Sequence, residues 1–241
     1  MTDIQARGAA WGWMQPRLMV LLMAVAAIPA VFPALDLYIA GLLYGPNAVL
    51  HAGDWFWVVW LNRHVPTIGR SLFIGGLILA VLLTVFRHRL PFAHRPVVKV
   101  SLFVSLGMML GPGLAVLKIK GLWERARPRE VLEFGGTQQF TPAMQWAQQC
   151  TDNCSFVSGH VATGFFLATL FVLGGRWRWV FLVSGIVLGL MVGFGRMAVG
   201  AHWLSDVLWA FPLTLIVSSL WWWALQKLDP STREPALNQS A

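Results

Sequence analysis

Three short stretches of the chain hold groups that could work together on a phosphate. They are Lys120-Gly-Leu-Trp-Glu-Arg-Ala-Arg127-Pro128, Ser155-Phe-Val-Ser158-Gly159-His160 and Gly195-Arg196-Met-Ala-Val-Gly-Ala-His202-Trp-Leu-Ser-Asp206. Lys120, Arg127 and Arg196 are three cations with almost no local carboxylate to neutralise all of them, a cradle suited to a dianion. Arginine's planar fork fits phosphate oxygens in pairs, and lysine adds a point charge. Ser158 and Gly159 stand where a small-residue turn opens an apolar segment. A helix beginning there would add backbone N–H donors and the positive end of its dipole. His202 and Asp206 are four apart, so on a helix they share a face. A carboxylate that accepts from one imidazole nitrogen leaves the other free to act as nucleophile. His160 supplies a second imidazole as general acid. Two histidines, one carboxylate and an anion cradle describe phosphoryl transfer through a phosphohistidine. Singly each stretch is weak, because basic loop residues usually just solvate, Ser-Gly turns usually just cap, and a lone His–Asp pair is more often structural.

These groups must be positioned by membrane helices. The chain has 241 residues, of which 57% are hydrophobic and 12% charged, too little polar surface to coat a water-facing domain. Its net charge of +8 would suggest nucleic acid in a soluble protein; here it suggests cytoplasmic loop charges. Fourteen Trp against two Tyr fit ring-anchored membrane interfaces. No Asp, Glu, Lys or Arg occurs in 18–35, 37–53, 71–86, 100–117, 153–175, 179–195 or 207–226. About 20 mostly apolar residues cross a hydrocarbon core roughly 30 Å thick. Six windows qualify; 37–53 does not, since Gly45-Pro46-Asn47 and His51-Ala52-Gly53 read as turns. The expected fold is all-α and polytopic, a single membrane domain over 1–241. Its six transmembrane helices lie near 18–36, 67–86, 98–117, 160–175, 179–196 and 203–225, with an outer catalytic loop over 118–159. An even number of crossings between 118–160 and 196–202 puts the three stretches on one membrane face.

With the N-terminus inside, ten cations fall in inner segments and eight in outer ones. The short loops 87–99 and 176–178 are on the inner side, where the positive-inside rule is strongest. Both termini are therefore expected in the cytoplasm, and the first helix is expected to be retained rather than cleaved as a signal peptide. Asp54–Arg63, an aromatic stretch with polar ends, reads as an in-plane interfacial helix or an ordinary packed loop. Cys150 and Cys154 have no nearby partner set for a metal. The residues leave two free thiols or a local disulfide, and an oxidising compartment outside the membrane favours the disulfide.

Lys120-x6-Arg127-Pro128, Ser158-Gly159-His160 and Arg196-x5-His202-x3-Asp206 resemble the three-part signature of the type 2 phosphatidic acid phosphatase superfamily. The resemblance covers about 118–206, and the six-helix layout is similar to the integral-membrane branch. The run from Phe134-Gly135-Gly136 to His160 is similar, less closely, to bacterial members acting on lipid A or related envelope lipids. The resemblance implies a lipid phosphatase at the outer face of a bacterial inner membrane, with a membrane lipid phosphate as substrate and neither metal nor cofactor. It implies that Lys120, Arg127, Ser158, Gly159 and Arg196 hold the phosphate, that His202 oriented by Asp206 attacks, and that His160 protonates the leaving group. Val157 stands where the family usually has Pro, and Gly195 where it usually has Ser. A phosphotransferase on the same scaffold is the second reading. A channel, which would spread polar residues at mid-depth along several helices, is a distant third.

Overall fold

The computed structural model describes residues 16–45, 48–89 and 94–228. Among the described residues the regular elements are all helices, with one isolated bridge between Val131 and Gln138 and no strand. The helices are α1 (Pro16–Val31), α2 (Ala34–Leu43), α3 (Phe56–Val85), α4 (His94–Met108), α5 (Val116–Trp123), α6 (Gly159–Thr169), α7 (Arg178–Ala198) and α8 (Leu204–Leu228). Four stretches are long and apolar enough to cross a membrane: α3, the α4–α5 rod, α7 and α8. A fifth arises if α1 and α2, bent by 84° at Phe32-Pro33, are one broken span; Gly159–Leu173 is a shorter apolar helix. The expected set of six full-length helices is thus four, or five with the bent pair.

The differences have local causes. The first helix, expected over 18–36, ends at Val31 because Pro33 interrupts the ladder, and the chain resumes as α2 rather than as loop. Gly111-Pro112-Gly113 lies inside a helical run; proline lacks a donor, and the ladder widens into a π turn over Met109–Ala115 without ending the rod. The rod therefore carries Lys120 on the last turn of α5, inside what was expected to be loop 118–159. Asp54–Arg63 is not an in-plane helix: α3 runs unbroken from Phe56 to Val85. Its aromatic start docks on α7 instead, with Trp57 stacked on Phe194 at 5.6 Å and Trp55 on the same ring at 6.0 Å.

Helices α6 and α7 approach closely through glycine. A Cβ at Gly185 would lie 2.0 Å from the Ala168 nitrogen, and one at Gly189 2.2 Å from the Phe165 ring. Small residues permit this contact where lipid supplies no hydrophobic drive. The core where these helices meet α5 and α8 holds Val116, Val161, Phe165, Val192, Val207 and Phe211. The outward faces of α3 and α7 are apolar and exposed, as lipid contact demands: only 11% of the apolar window of α3 is buried. Away from the three motifs, Lys99 lies over Trp222 and Lys227 over Trp223, each at 5.2 Å, and Arg176 over Trp177 at 4.9 Å. Such cation–aromatic pairs suit a membrane interface. Both chain termini, including Arg7 and Arg233 of the inner-charge count, lie outside the described residues.

Candidate active site

All three motifs meet at one end of the bundle, where α5 ends, α6 begins, and α7 turns into α8. The turn after α7 is tight. Gly200 has φ +61°, and a Cβ there would lie 2.7 Å from the Tyr44 ring, so glycine is required. His202 follows in that turn, before α8 begins at Leu204. The His202–Asp206 pair therefore straddles a helix N-terminus rather than sharing a helix face, a correction to the sequence reading. Asp206 is the third residue of α8, and its Oδ2 reaches back to accept from the Trp203 backbone N–H at 2.9 Å. This is the return half of a capping box. The same oxygen lies 3.3 Å from His202 Nδ1 and accepts from Ser155 Oγ, while Oδ1 accepts from Arg125 Nη1 at 2.8 Å. Both His202 and Asp206 are buried. Burial holds the His202 imidazole well below its ordinary range, to about 3, and Lys120 and Arg196 push the same way against the opposing pull of Asp206. The ring is thus neutral at neutral pH.

Lys120 and Arg196 lie close enough to both histidines for their charges to act on the rings. Lys120 Nζ donates to Asn153 Oδ1 at 3.1 Å. Arg127 Nε donates to the Asn153 carbonyl at 3.2 Å, and Nη2 donates to the same oxygen. Asn153, with φ +47°, sits inside the five-residue loop closed by the Cys150–Cys154 disulfide. Arg196 Nη1 donates to Asn62 Oδ1 at 3.3 Å, and its buried Nε has no hydrogen-bond partner among the described residues. Asn62 belongs to the aromatic start of α3, which explains why that stretch packs here. His160 is in the first turn of α6, near the Asn62 backbone.

Two placements differ from expectation. Arg127 is not free of carboxylates: Glu130 Oε2 accepts from its backbone N–H at 2.9 Å, and Glu130 Oε1 lies 3.8 Å from its Nε. Ser158 is fully buried as the N-cap of α6, accepting from the Val161 N–H at 3.5 Å, and its own N–H points to the Asp206 carbonyl at 3.4 Å. Gly159 is left as the more accessible of the two. Of the two departures from the usual motif, Val157 for Pro has no explanation in the structure and Gly195 for Ser has a steric one. Val157 is buried in the core, and a Cβ at Gly195 already meets Val58 at 3.3 Å, leaving little room for serine.

Four further residues shape the site, and sequence reasoning assigned none of them a role there: Asp36, Arg125, Asn62 and Asn153. Arg125 entered only as a loop charge. Asp36 had a signal available, a lone acid between the charge-free runs 18–35 and 37–53, and an acid flanked by membrane-grade sequence is a functional hypothesis by default. A cavity of about 520 Å³ opens beside the end of α7, lined by Tyr44, His51, Asp54, Phe134, Ala198 and Val199.

A membrane-embedded bundle with two imidazoles, a supported carboxylate and three cations at one end is an architecture for phosphoryl transfer. Residues 100–230 match the PAP2 superfamily, and the chain belongs to it. It is a membrane lipid phosphatase. Among its relatives is a lipid A 4'-phosphatase of Francisella tularensis subsp. novicida (strain U112), 32% identical over 185 residues, 73% of this chain and 80% of that protein. A lipid A 4'-phosphatase of Rhizobium leguminosarum is 34% identical over 120 residues, 48% of this chain and 52% of that protein. A lipid A 1-phosphatase of Porphyromonas gingivalis (strain ATCC 33277) is 39% identical over 71 residues, 29% of this chain and 16% of that protein. No solved structure matches the chain.

Proposed function

We propose that this single membrane domain removes a phosphate from a lipid A-type envelope lipid through a phosphohistidine on His202. The observation that carries the reading is a buried His202, fixed by Asp206 and close enough to feel the charges of Lys120 and Arg196, on both of which Arg127 acts in turn. In the first step the bound phosphate offsets the charges of Arg196, Lys120 and Arg127 around His160, whose ring takes up a proton; His202 Nε2 attacks phosphorus, the bond from phosphorus to the lipid oxygen breaks, and His160 gives that proton to the oxygen. Nδ1–H stays on Asp206, which offsets the positive charge the ring acquires. In the second step water attacks the phosphohistidine, its proton passes to His160, and His202 is restored. Throughout, Lys120, Arg127, Arg196 and the Gly159 N–H meet the charge on the phosphate oxygens, and the reaction needs no metal. The Arg196 Nε is a donor without a hydrogen-bond partner among the described residues. Ser158 serves by capping α6.

The lipid A-type substrate is supported by the relatives and by the cavity at the end of α7, which reaches Ala198 and Val199. That cavity offers aromatic, imidazole and carboxylate walls to a polar headgroup, at a size usual for small-molecule sites. Location in a bacterial inner membrane, with the site periplasmic and both termini cytoplasmic, is supported by the basic, Trp-rich opposite end and by a disulfide at the site end. The test is release of free phosphate from lipid A, polyprenyl diphosphate, phosphatidylglycerol phosphate and phosphatidic acid, with His202→Ala as blank. Lipid A is expected to lead the panel. A clear lead for another lipid would overturn the substrate assignment, and transfer of label to a second lipid without free phosphate would mark a phosphotransferase.

A further inference from the structure

Arg125 is fully buried, and every nitrogen of its guanidinium is engaged. Nε donates to the Thr141 carbonyl at 2.8 Å, Nη1 to Asp206 Oδ1 at 2.8 Å and Ser205 Oγ at 2.7 Å, and Nη2 to Asp36 Oδ2 at 2.8 Å. Asp36, also fully buried, accepts from the Ser205 N–H at 2.9 Å and from Ser205 Oγ at 2.6 Å. The Trp203 and Phe140 rings flank the guanidinium at 5.3 and 5.7 Å. A chain that makes two crossings between residues 36 and 125 thus joins the start of α2 to the start of α8 through one arginine.

One cation between two carboxylates leaves the cluster with one excess negative charge. A lone Arg125–Asp206 pair would be neutral, and Arg125 would draw much of the Asp206 field away from His202. Dividing the guanidinium between two acids leaves Asp206 the charge to hold the Nδ1 proton. A buried uncompensated charge is costly. Here it is uncompensated before attack and compensated once the ring has become cationic, an interaction stronger after attack than before it.

We propose that Asp36 is a positioning residue of the reaction: it takes up part of the charge of Arg125, so that Asp206 keeps more of its own field for His202, while touching neither the histidine nor the substrate. The proposal rests on His202 as nucleophile and extends its support to a helix outside the three motifs. Neither Asp36 nor Arg125 reaches the cations of the cradle, so their removal acts on the chemical step and leaves substrate affinity alone.

The experiment compares Asp36→Asn and Asp36→Glu with the parent enzyme, using lipid A in mixed detergent micelles. Asp36→Asn keeps the shape and removes the charge; kcat falls about 10- to 100-fold, the usual scale for a supporting residue behind a reactive group, and KM is unchanged. Asp36→Glu restores the charge and recovers a large part of the loss. Parent-like kcat in Asp36→Asn, a loss confined to KM, or a glutamate variant no better than the asparagine one would each overturn the proposal. If Asp36→Asn does not yield folded protein, Asp36→Ser removes the same charge with a smaller side chain that can still accept from the Ser205 N–H. It is expected to lower kcat on the same scale at constant KM, and parent-like kcat there overturns the proposal equally. Turnover by His202→Ala would instead remove the nucleophile assignment, whatever the Asp36 variants do.

Discussion

Asp206 accepts hydrogen bonds from a serine, an arginine and a backbone N–H as well as facing a histidine. Arg196, across the site, has one neutral side-chain partner and a guanidinium nitrogen left over. The two walls of the site follow opposite rules. The nucleophile wall is buried, charged and fully paired, its members locked by Arg125 and Asp36. The cradle wall is held by two asparagines, neutral groups that orient Lys120, Arg127 and Arg196 and can yield to an anion. A nucleophile gains from rigidity because it must meet phosphorus at one angle. A cradle already saturated by carboxylates would have nothing left for substrate. Glu130, which pairs with Arg127 and with Arg129 beside it, is the partial exception.

Substitutions on the nucleophile wall break this contrast most sharply. Asp206→Asn is expected to lower kcat by about 10⁴-fold, the scale seen when an orienting carboxylate is lost and the imidazole takes the wrong tautomer; steady-state kinetics with a folded variant checks it. Arg125→Met leaves two buried carboxylates without their shared cation, and unfolding stability should fall by about 3–5 kcal/mol. A lowered unfolding midpoint in detergent reads this directly. On the cradle wall the effects move to binding. Arg196→Lys loses the fork and one charge-assisted hydrogen bond, worth about 1.5–3 kcal/mol. That corresponds to a rise in KM of roughly 10- to 100-fold, with kcat less changed. Smallest is Cys154→Ser, which frees the loop that presents Asn153. KM should rise roughly 2- to 10-fold, the cost of ordering one more mobile side chain on binding, and treatment of the parent enzyme with a reductant should reproduce it.

Part of the cradle was legible because charge is expensive in a membrane chain: Arg196 stood out against apolar flanks, Lys120 and Arg127 through their spacing before Pro128, and the number of crossings was expected to put them on one face. The positions of α6, α7 and α8 followed from charge-free windows for the same reason. What the windows concealed was continuity. Proline in Leu110–Gly113 did not end the rod, because a π turn absorbed it, and nothing between Phe56 and Arg63 prevented α3 from starting early. The nucleophile support was the least legible part. Asp36 and Arg125 are 89 residues apart, and no periodicity links them; Asp36 read as a boundary charge and Arg125 as one more loop cation. The asparagines were silent for a different reason, since neutral amides carry no charge signal. The His202–Asp206 spacing was read correctly as a pair for the wrong reason: a capping return at a helix start, and not a helix face, brings them together.

The central claim is that His202 carries the phosphoryl group between lipid and water. Rapid quenching of the enzyme with phosphate-labelled lipid A, followed by denaturation under alkaline conditions, tests it most directly. A labelled protein that keeps its phosphate in alkali and loses it in acid, present in the parent enzyme and absent from His202→Ala, is the predicted result. Labelled protein in His202→Ala, or continued phosphate release by that variant, would contradict the account.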